Sequence, residues 1–385
     1  MAQEVALEGG SVELRNCFDV DRTDDGISPR RLPAWTRAQI PDVFCDAMVR
    51  MSSGVRLAFV TDSPWLELEV MPTSFRTDGD PRRVHGFDLV IDGGAARTQE
   101  TEGGNCFVID FSTRAVTGFE PGEVLTLRWD DVAPNDGQQH EVEIWLPVAA
   151  SVELRGLRAA DGARVEAPPA HGRRRWVHYG SSISHCMEVV APTQTWPATA
   201  ARLGAVELTS LALAGQCHLD AFVARTIGDL APDLISVKAG INVVNADSMR
   251  ERAFVPALHG FIDTVRERCP STPFLLVSPI VCPIAEDHPG PTPPTADRKF
   301  GVLDAPEEVR VGCLTLRRIR KLIEAAVAGR RGAGDEHLHY LDGLELFGAA
   351  DAVDLPDDLH PNPAGYARIA ERFAAFAFAP GGPFG

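Results

Sequence analysis

The spacing of apolar residues changes once along this chain, and that change limits what it can fold into. From about residue 11 to 155 the period is two. Trp65-Leu-Glu-Leu-Glu-Val70 alternates strictly, residues 87–91 run into the turn Asp92-Gly93-Gly94, and residues 142–146 alternate again. Successive side chains of a strand point to opposite faces, so short alternating runs with Gly, Pro and Asp turns between them predict an all-β sandwich of jelly-roll type. Beyond residue 173, short apolar runs at 174–179, 206–211, 234–238, 274–278 and 339–341 are separated by longer stretches. In two of these, 248–268 and 307–328, apolar residues recur at three and four. That alternation predicts βαβ units building a parallel sheet covered on both sides, a three-layer α/β/α domain. Residues 156–173, with Pro168-Pro169 and Gly172, read as the connection. The expected division is a sandwich over 1–165 and an α/β domain over 166–385.

Length and charge agree with two domains and exclude several partners. A chain of 385 residues exceeds one ordinary core. Its net charge of -17 and pI near 5.1, with no polybasic run beyond Arg173-Arg174-Arg175, argue against nucleic acid and anionic membrane as partners. The first residues have no cationic start and no apolar stretch of signal-peptide length. No segment approaches the roughly 20 apolar residues of a membrane span, so a cytoplasmic location is expected. Eight cysteines without a Cys-x-x-Cys pair are expected to be reduced thiols.

In parallel sheets ligands bind outside the carboxyl ends of the strands, so the residues after each strand carry most information. Ser182 follows the first α/β strand at the start of an expected helix, where helix N–H groups favour a developing oxyanion; read alone, Ser181-Ser182 is only an N-cap turn. A serine hydroxyl needs a base, and the base needs a carboxylate to fix its tautomer. Both are present in Asp357-Asp358-Leu359-His360. Asn362 as N-cap and Pro363 as first helical residue place this segment in the loop entering the last helix. Gly215 after the second strand and Asn242 after the third could supply a backbone N–H and a side-chain amide to an oxyanion.

These segments resemble the four blocks of the GDSL or SGNH hydrolase family over roughly residues 174–378: Gly180-Ser181-Ser182-Ile183, Gly215, Gly240-x-Asn242 and Asp357-x-x-His360. The resemblance implies a flavodoxin-like domain with Ser182 as nucleophile, His360 as general base and Asp357 as its orienter. It also implies an oxyanion hole formed by the Ser182 and Gly215 N–H groups with the Asn242 amide. Two positions depart from the family: its usual Asp before the nucleophile is Ser181, and the Asp that often follows the block-three Asn is Val243. With a preceding sandwich similar to a carbohydrate-binding module, the chain also resembles acyltransferases that tailor tetracycline-type polyketides. That likeness implies transfer of a salicylyl group from a coenzyme A thioester to a polyketide hydroxyl. Acyl-CoA would then be a co-substrate and no cofactor would stay bound. A carboxylesterase or sugar O-deacetylase would use the same triad, and a non-catalytic binding protein is the third reading.

A lipase-type α/β-hydrolase fails because Ser184 stands where the nucleophile elbow needs glycine, and because that fold separates its acid and His. Metal hydrolysis lacks a second ligand pair beside His185 and Glu188, so no metal is expected. His185, Gln216 and His218 are candidates for substrate contact, Trp196 for the core, and Asp358 as a fallback orienter. The loop 283–300, with five prolines by Pro294, is a candidate substrate lid.

Overall fold

The computed structural model describes residues 1–385 except 111, 112, 114, 135, 136, 171 and 296. Two compact units result: Met1–Gly172 with Val190–Thr193, and Arg173–Val189 with Gln194–Gly385.

The first unit is β-rich rather than all-β as expected, since Asp42 caps an α-helix over Val43–Arg50. Its longest strand, Trp65–Thr77, keeps one face in the core and the other half-exposed for most of its length. It pairs antiparallel with Ser151–Ala160 and Leu125–Asp130, so that Leu157 and Leu127 both meet Leu68. These strands belong to an eight-stranded sheet; a six-stranded sheet is centred on Arg56–Thr61 and His140–Trp145. Leu57, Phe59, Leu66, Leu68, Phe87, Leu89, Val142 and Ile144 are fully buried in one apolar cluster, as the period of two requires. The stretch 156–173 is only in part a connection. Gly156 lies within Ser151–Ala160 beside a register shift, and Val165–Glu166 pairs with Arg56–Thr61. A bulge and an edge strand thus occupy the first part of the stretch, and Pro168-Pro169 and Gly172, which suggested the linker, lie beyond both.

The second unit is a five-stranded parallel sheet in the order Glu207–Ser210, Arg175–Gly180, Leu234–Lys238, Phe274–Val277, Leu338–Leu341. Helices Trp196–Leu203 and Pro363–Ala377 pack together, as do Ala221–Leu230 and Glu251–Arg266. The strand Arg175–Gly180 divides its side chains between these layers: Trp176 stacks on Phe373 at 5.2 Å, and Tyr179 stacks on Phe261 at 5.7 Å. Trp196 is fully buried, as expected. The expected helix over 307–328 is interrupted. Glu307–Arg310 ends, Gly312 takes φ 77°, and a new helix Leu316–Gly332 starts under the Thr315 cap. Only glycine takes that φ without strain, and a β-region Thr cap then restarts the helix.

The topology places the site. The chain leaves Arg175–Gly180 toward one side of the sheet and returns to Leu234–Lys238 on the other, so the strand order reverses at Arg175–Gly180 and opens a crevice beyond its carboxyl end.

Candidate functional site

Ser182 begins a single helical turn, Ser182–His185, at that crevice. Behind the turn, His178 Nε2 is 2.8 Å from Ser184 Oγ and His178 Nδ1 is 2.7 Å from Ser236 Oγ, which also accepts Trp176 Nε1–H at 2.9 Å. His178 is fully enclosed, and burial followed by the Lys238 charge lowers its pKa to about 3, so it is neutral. A Cβ on Gly180 would fall on the Ser184 hydroxyl, so glycine at this position makes room for the brace. Ser181 is the N-cap residue, but its buried hydroxyl makes no cap bond.

The last loop delivers the base. Asn362 accepts Gly365 N–H at 2.8 Å and Pro363 opens the helix Pro363–Ala377, as the sequence implied. Just upstream, Asp357 Oδ1 accepts the backbone N–H groups of Leu359 and His360 at 3.0 and 2.6 Å. Its Oδ2 is 2.7 Å from His360 Nδ1, and His360 Nε2 is 2.8 Å from Ser182 Oγ. Burial alone would raise the Asp357 carboxyl, but bonds from the His360 ring, its charge and the two backbone N–H groups hold it below the ordinary value. The carboxylate therefore keeps Nδ1 protonated and leaves Nε2 free to take a proton from Ser182. Asp358 turns away at φ 66° to pair with Lys299 at 2.9 Å.

The donors for an oxyanion lie around the same crevice. Asn242 is buried, and its Oδ1 accepts Cys217 N–H at 3.0 Å; among the described residues its Nδ2 donates to no protein group. The N–H groups of Ser182 and Gly215 likewise meet no protein acceptor among the described residues. A preorganised donor with no other partner is what a developing negative charge needs.

The residues weighed for substrate contact divide. His185 is fully buried and Gln216 nearly so; His218 is half-buried, with Nδ1 at 2.9 Å from Ser248 Oγ and Nε2 at 3.3 Å from the Gly215 carbonyl. His185 and Glu188 share no helix face, because the turn ends at Cys186 in the left-handed region. Among the described residues no group of three or more His, Cys, Asp or Glu is placed to hold a metal ion. The cysteines are free thiols. The described part of loop 283–300, which excludes residue 296, ends against the base: Phe300 N–H donates to the Asp357 carbonyl at 3.0 Å, and the Phe300 ring stands edge-on to His360 at 5.6 Å.

Sequence reasoning missed two supports. The His178 brace was foreshadowed only by a polar residue inside an apolar strand run. The other is Glu188, whose Oε2 accepts the hydroxyl of buried Tyr366 at 2.6 Å and whose Oε1 lies 3.9 Å from His360 Nδ1.

A flavodoxin-like sheet with a serine, a histidine and an aspartate at its switch point defines a class, and comparison agrees: residues 178–368 match the model of the GDSL-like Lipase/Acylhydrolase family. The second unit is a domain of that family, and the chain is a serine acyltransferase or esterase of the GDSL type. Among solved structures it is similar to the salicylyl-acyltransferase SsfX3 from a tetracycline biosynthetic pathway, at 27% identity and TM-score 0.80, over 96% of this chain and 95% of that one. A family two carbohydrate esterase from Clostridium thermocellum, in an active-site mutant form, shares the fold at 13% identity and TM-score 0.60, over 95% and 97% of the two chains. One from Cellvibrio japonicus does so at 12% and 0.59, over 97% and 96%. No curated protein matches the chain. No helix among the described residues is long and apolar enough to cross a membrane.

Proposed function

We propose that this chain is an acyltransferase that moves an aryl acyl group, salicylyl from a coenzyme A thioester, through a Ser182 ester onto a hydroxyl of a tetracycline-type polyketide. The observation that carries the reading is the likeness to the salicylyl-acyltransferase over nearly the full length of both chains, at about twice the identity found for the Clostridium thermocellum and Cellvibrio japonicus carbohydrate esterases.

In this mechanism Ser182 Oγ attacks the thioester carbonyl while His360 Nε2 takes its proton. Asp357 holds the ring and its positive charge. The carbonyl oxygen becomes an oxyanion held by the Ser182 and Gly215 N–H groups and the Asn242 amide. Collapse breaks the C–S bond, and the thiolate leaves with the proton from His360. The acceptor hydroxyl then gives its proton to Nε2 and attacks the Ser182 ester. A second collapse releases the new ester and returns the proton to Ser182. Water in place of the alcohol would make the same machinery a carboxylesterase or a sugar O-deacetylase, so exclusion of water separates the two outcomes. The loop 283–300 is proposed as the lid that excludes it, since its far limb already lies on His360.

Incubation with salicylyl-CoA, with and without a polycyclic phenol of tetracycline type, tests the reading. Ester formation that depends on the phenol is expected. Free salicylate as the only product in both reactions would leave the esterase.

A further inference from the structure

We propose that Glu188 is a second carboxylate for His360, a positioning residue that acts on the same ring nitrogen as Asp357. The inference rests on the reading of His360 as the base.

The geometry is specific. Glu188 Oε1 stands 3.9 Å from His360 Nδ1, outside hydrogen-bond reach but close enough for its charge to be felt, while Asp357 Oδ2 occupies the bond itself at 2.7 Å. Glu188 is held there. Its Oε2 accepts the Tyr366 hydroxyl at 2.6 Å, and Tyr366 is fully buried on the last helix, six residues beyond His360. Burial, then the Glu188 charge, pushes the Tyr366 hydroxyl well above its ordinary pKa, so it remains a donor. The chain reaches this point through Cys186, a buried non-glycine residue at φ 60°, ψ 51°. A strained backbone at the end of the nucleophile's own helical turn brings the next carboxylate back toward the base.

Among the described residues, the following charged and titratable groups face His360 from the elements packed against it. Its own loop brings Asp357 and Asp358, and Lys299 neutralises Asp358 at 2.9 Å. Cys186 lies close to Glu188 and Tyr366, and Cys282 close to Asp357; burial raises both thiols, Cys282 to about 12, so they are uncharged. Tyr366 is neutral, and Phe300 covers the ring edge-on. Among these groups the carboxylates of Asp357 and Glu188 carry unbalanced charge beside the imidazole. When His360 takes the Ser182 proton, its imidazolium gains from both. One bonds and fixes the tautomer, and the other adds attraction without competing for the N–H. The sign follows: removing the Glu188 charge makes protonated His360 less favourable, so the acid limb of kcat/KM moves to lower pH and the proton is taken less readily.

The test is Glu188→Gln, which keeps an oxygen to accept the Tyr366 hydroxyl and removes only charge. Its kcat/KM profile against pH for an aryl acyl thioester is compared with those of wild type, Asp357→Ala and the double variant. The expected result has two parts. The acid limb of Glu188→Gln moves down by roughly half to one pH unit, with kcat lower by about 3- to 10-fold. The residual activity of Asp357→Ala falls about tenfold further in the double variant, because Glu188 is then the remaining carboxylate. Tyr366→Phe, which leaves the charge but frees its position, should move the limb less. A purely structural Glu188 would leave the limb where it is. If the limb stays in place, or the double variant is no slower than Asp357→Ala, the proposal fails. His360→Ala separates this from the parent reading. Activity in that variant removes the base, whereas an inactive His360→Ala with a wild-type profile in Glu188→Gln removes only the second carboxylate.

Discussion

The parallel-sheet unit holds two serine–histidine pairs of the same length, and they differ in what lies behind the imidazole. His178 and His360 each stand 2.8 Å from a serine hydroxyl, Ser184 and Ser182, only two residues apart. Behind His178 is another hydroxyl, Ser236, in a fully enclosed site; behind His360 is the carboxylate of Asp357, at the carboxyl edge of the sheet. Burial and the Lys238 charge keep His178 uncharged, and its hydroxyl partner supplies no charge to offset them, so it can hold a helix turn but cannot accept a proton. A carboxylate partner lets His360 carry a positive charge for the lifetime of a tetrahedral intermediate. The same pair of side chains is thus a brace in one place and a base in the other. The deciding factors are charge and access.

Breaking the two pairs should give opposite results. Ser182→Ala and His360→Ala should each lose activity by about 10⁴-fold or more with the melting temperature nearly unchanged, read by steady-state kinetics and thermal unfolding. Asp357→Ala should lose roughly 10²- to 10⁴-fold, with the loss in kcat rather than KM, since the tautomer and the imidazolium are what it serves. Ser184→Ala should do the reverse: about 1–3 kcal/mol of stability lost, because a buried imidazole nitrogen is left without a partner, with a smaller loss of rate than any triad variant. If Ser184→Ala cost more rate than Asp357→Ala, the division into brace and base would be wrong.

The pH dependence of stability sharpens the contrast. His178 has a folded pKa of about 3, below its ordinary 6.5. An unfolded chain therefore binds a proton at this residue where the folded one does not. Its contribution is fully present above pH 6.5 and is lost as pH falls from 6.5 toward 3. Asp357 is also depressed, so what it contributes is present above its unfolded value near 3.8 and is lost as pH falls through the lower folded one. Urea unfolding at pH 7.5 and pH 5 should show wild type losing stability between these values and His178→Phe losing less. An equal slope in both would remove His178 as the titrating group. The smallest expected effect is Phe300→Ala, a change of a few-fold in KM for the acceptor if the loop edge orders the site.

Much of this was legible in the chain. The two sheet types follow from the change of period, and the positions of Ser182, Gly215 and Asn242 follow from counting strands, because a parallel sheet delivers the residue after each strand to one edge. The Asp357 to His360 spacing works because both lie on one turn, held by two backbone bonds to the carboxylate. What stayed hidden depends on approach between distant segments. Glu188 and Tyr366 are far apart in sequence and meet just after the left-handed turn at Cys186, which no pattern of residue types announces. The His178 brace looks in sequence like one polar residue in an apolar run. The break after Arg310 was masked by apolar spacing that continues across it; the backbone leaves the helical region at Val311 and turns at Gly312.

The central claim is an acyl-enzyme at Ser182, and the most direct measurement is acid-quenched intact-mass and peptide analysis after brief exposure to salicylyl-CoA. One salicylyl group on the Ser182 peptide is expected, absent in Ser182→Ala and discharged as an ester when the phenolic acceptor is added. Turnover in Ser182→Ala, or an adduct on a different residue with Ser182 unmodified, would contradict the account.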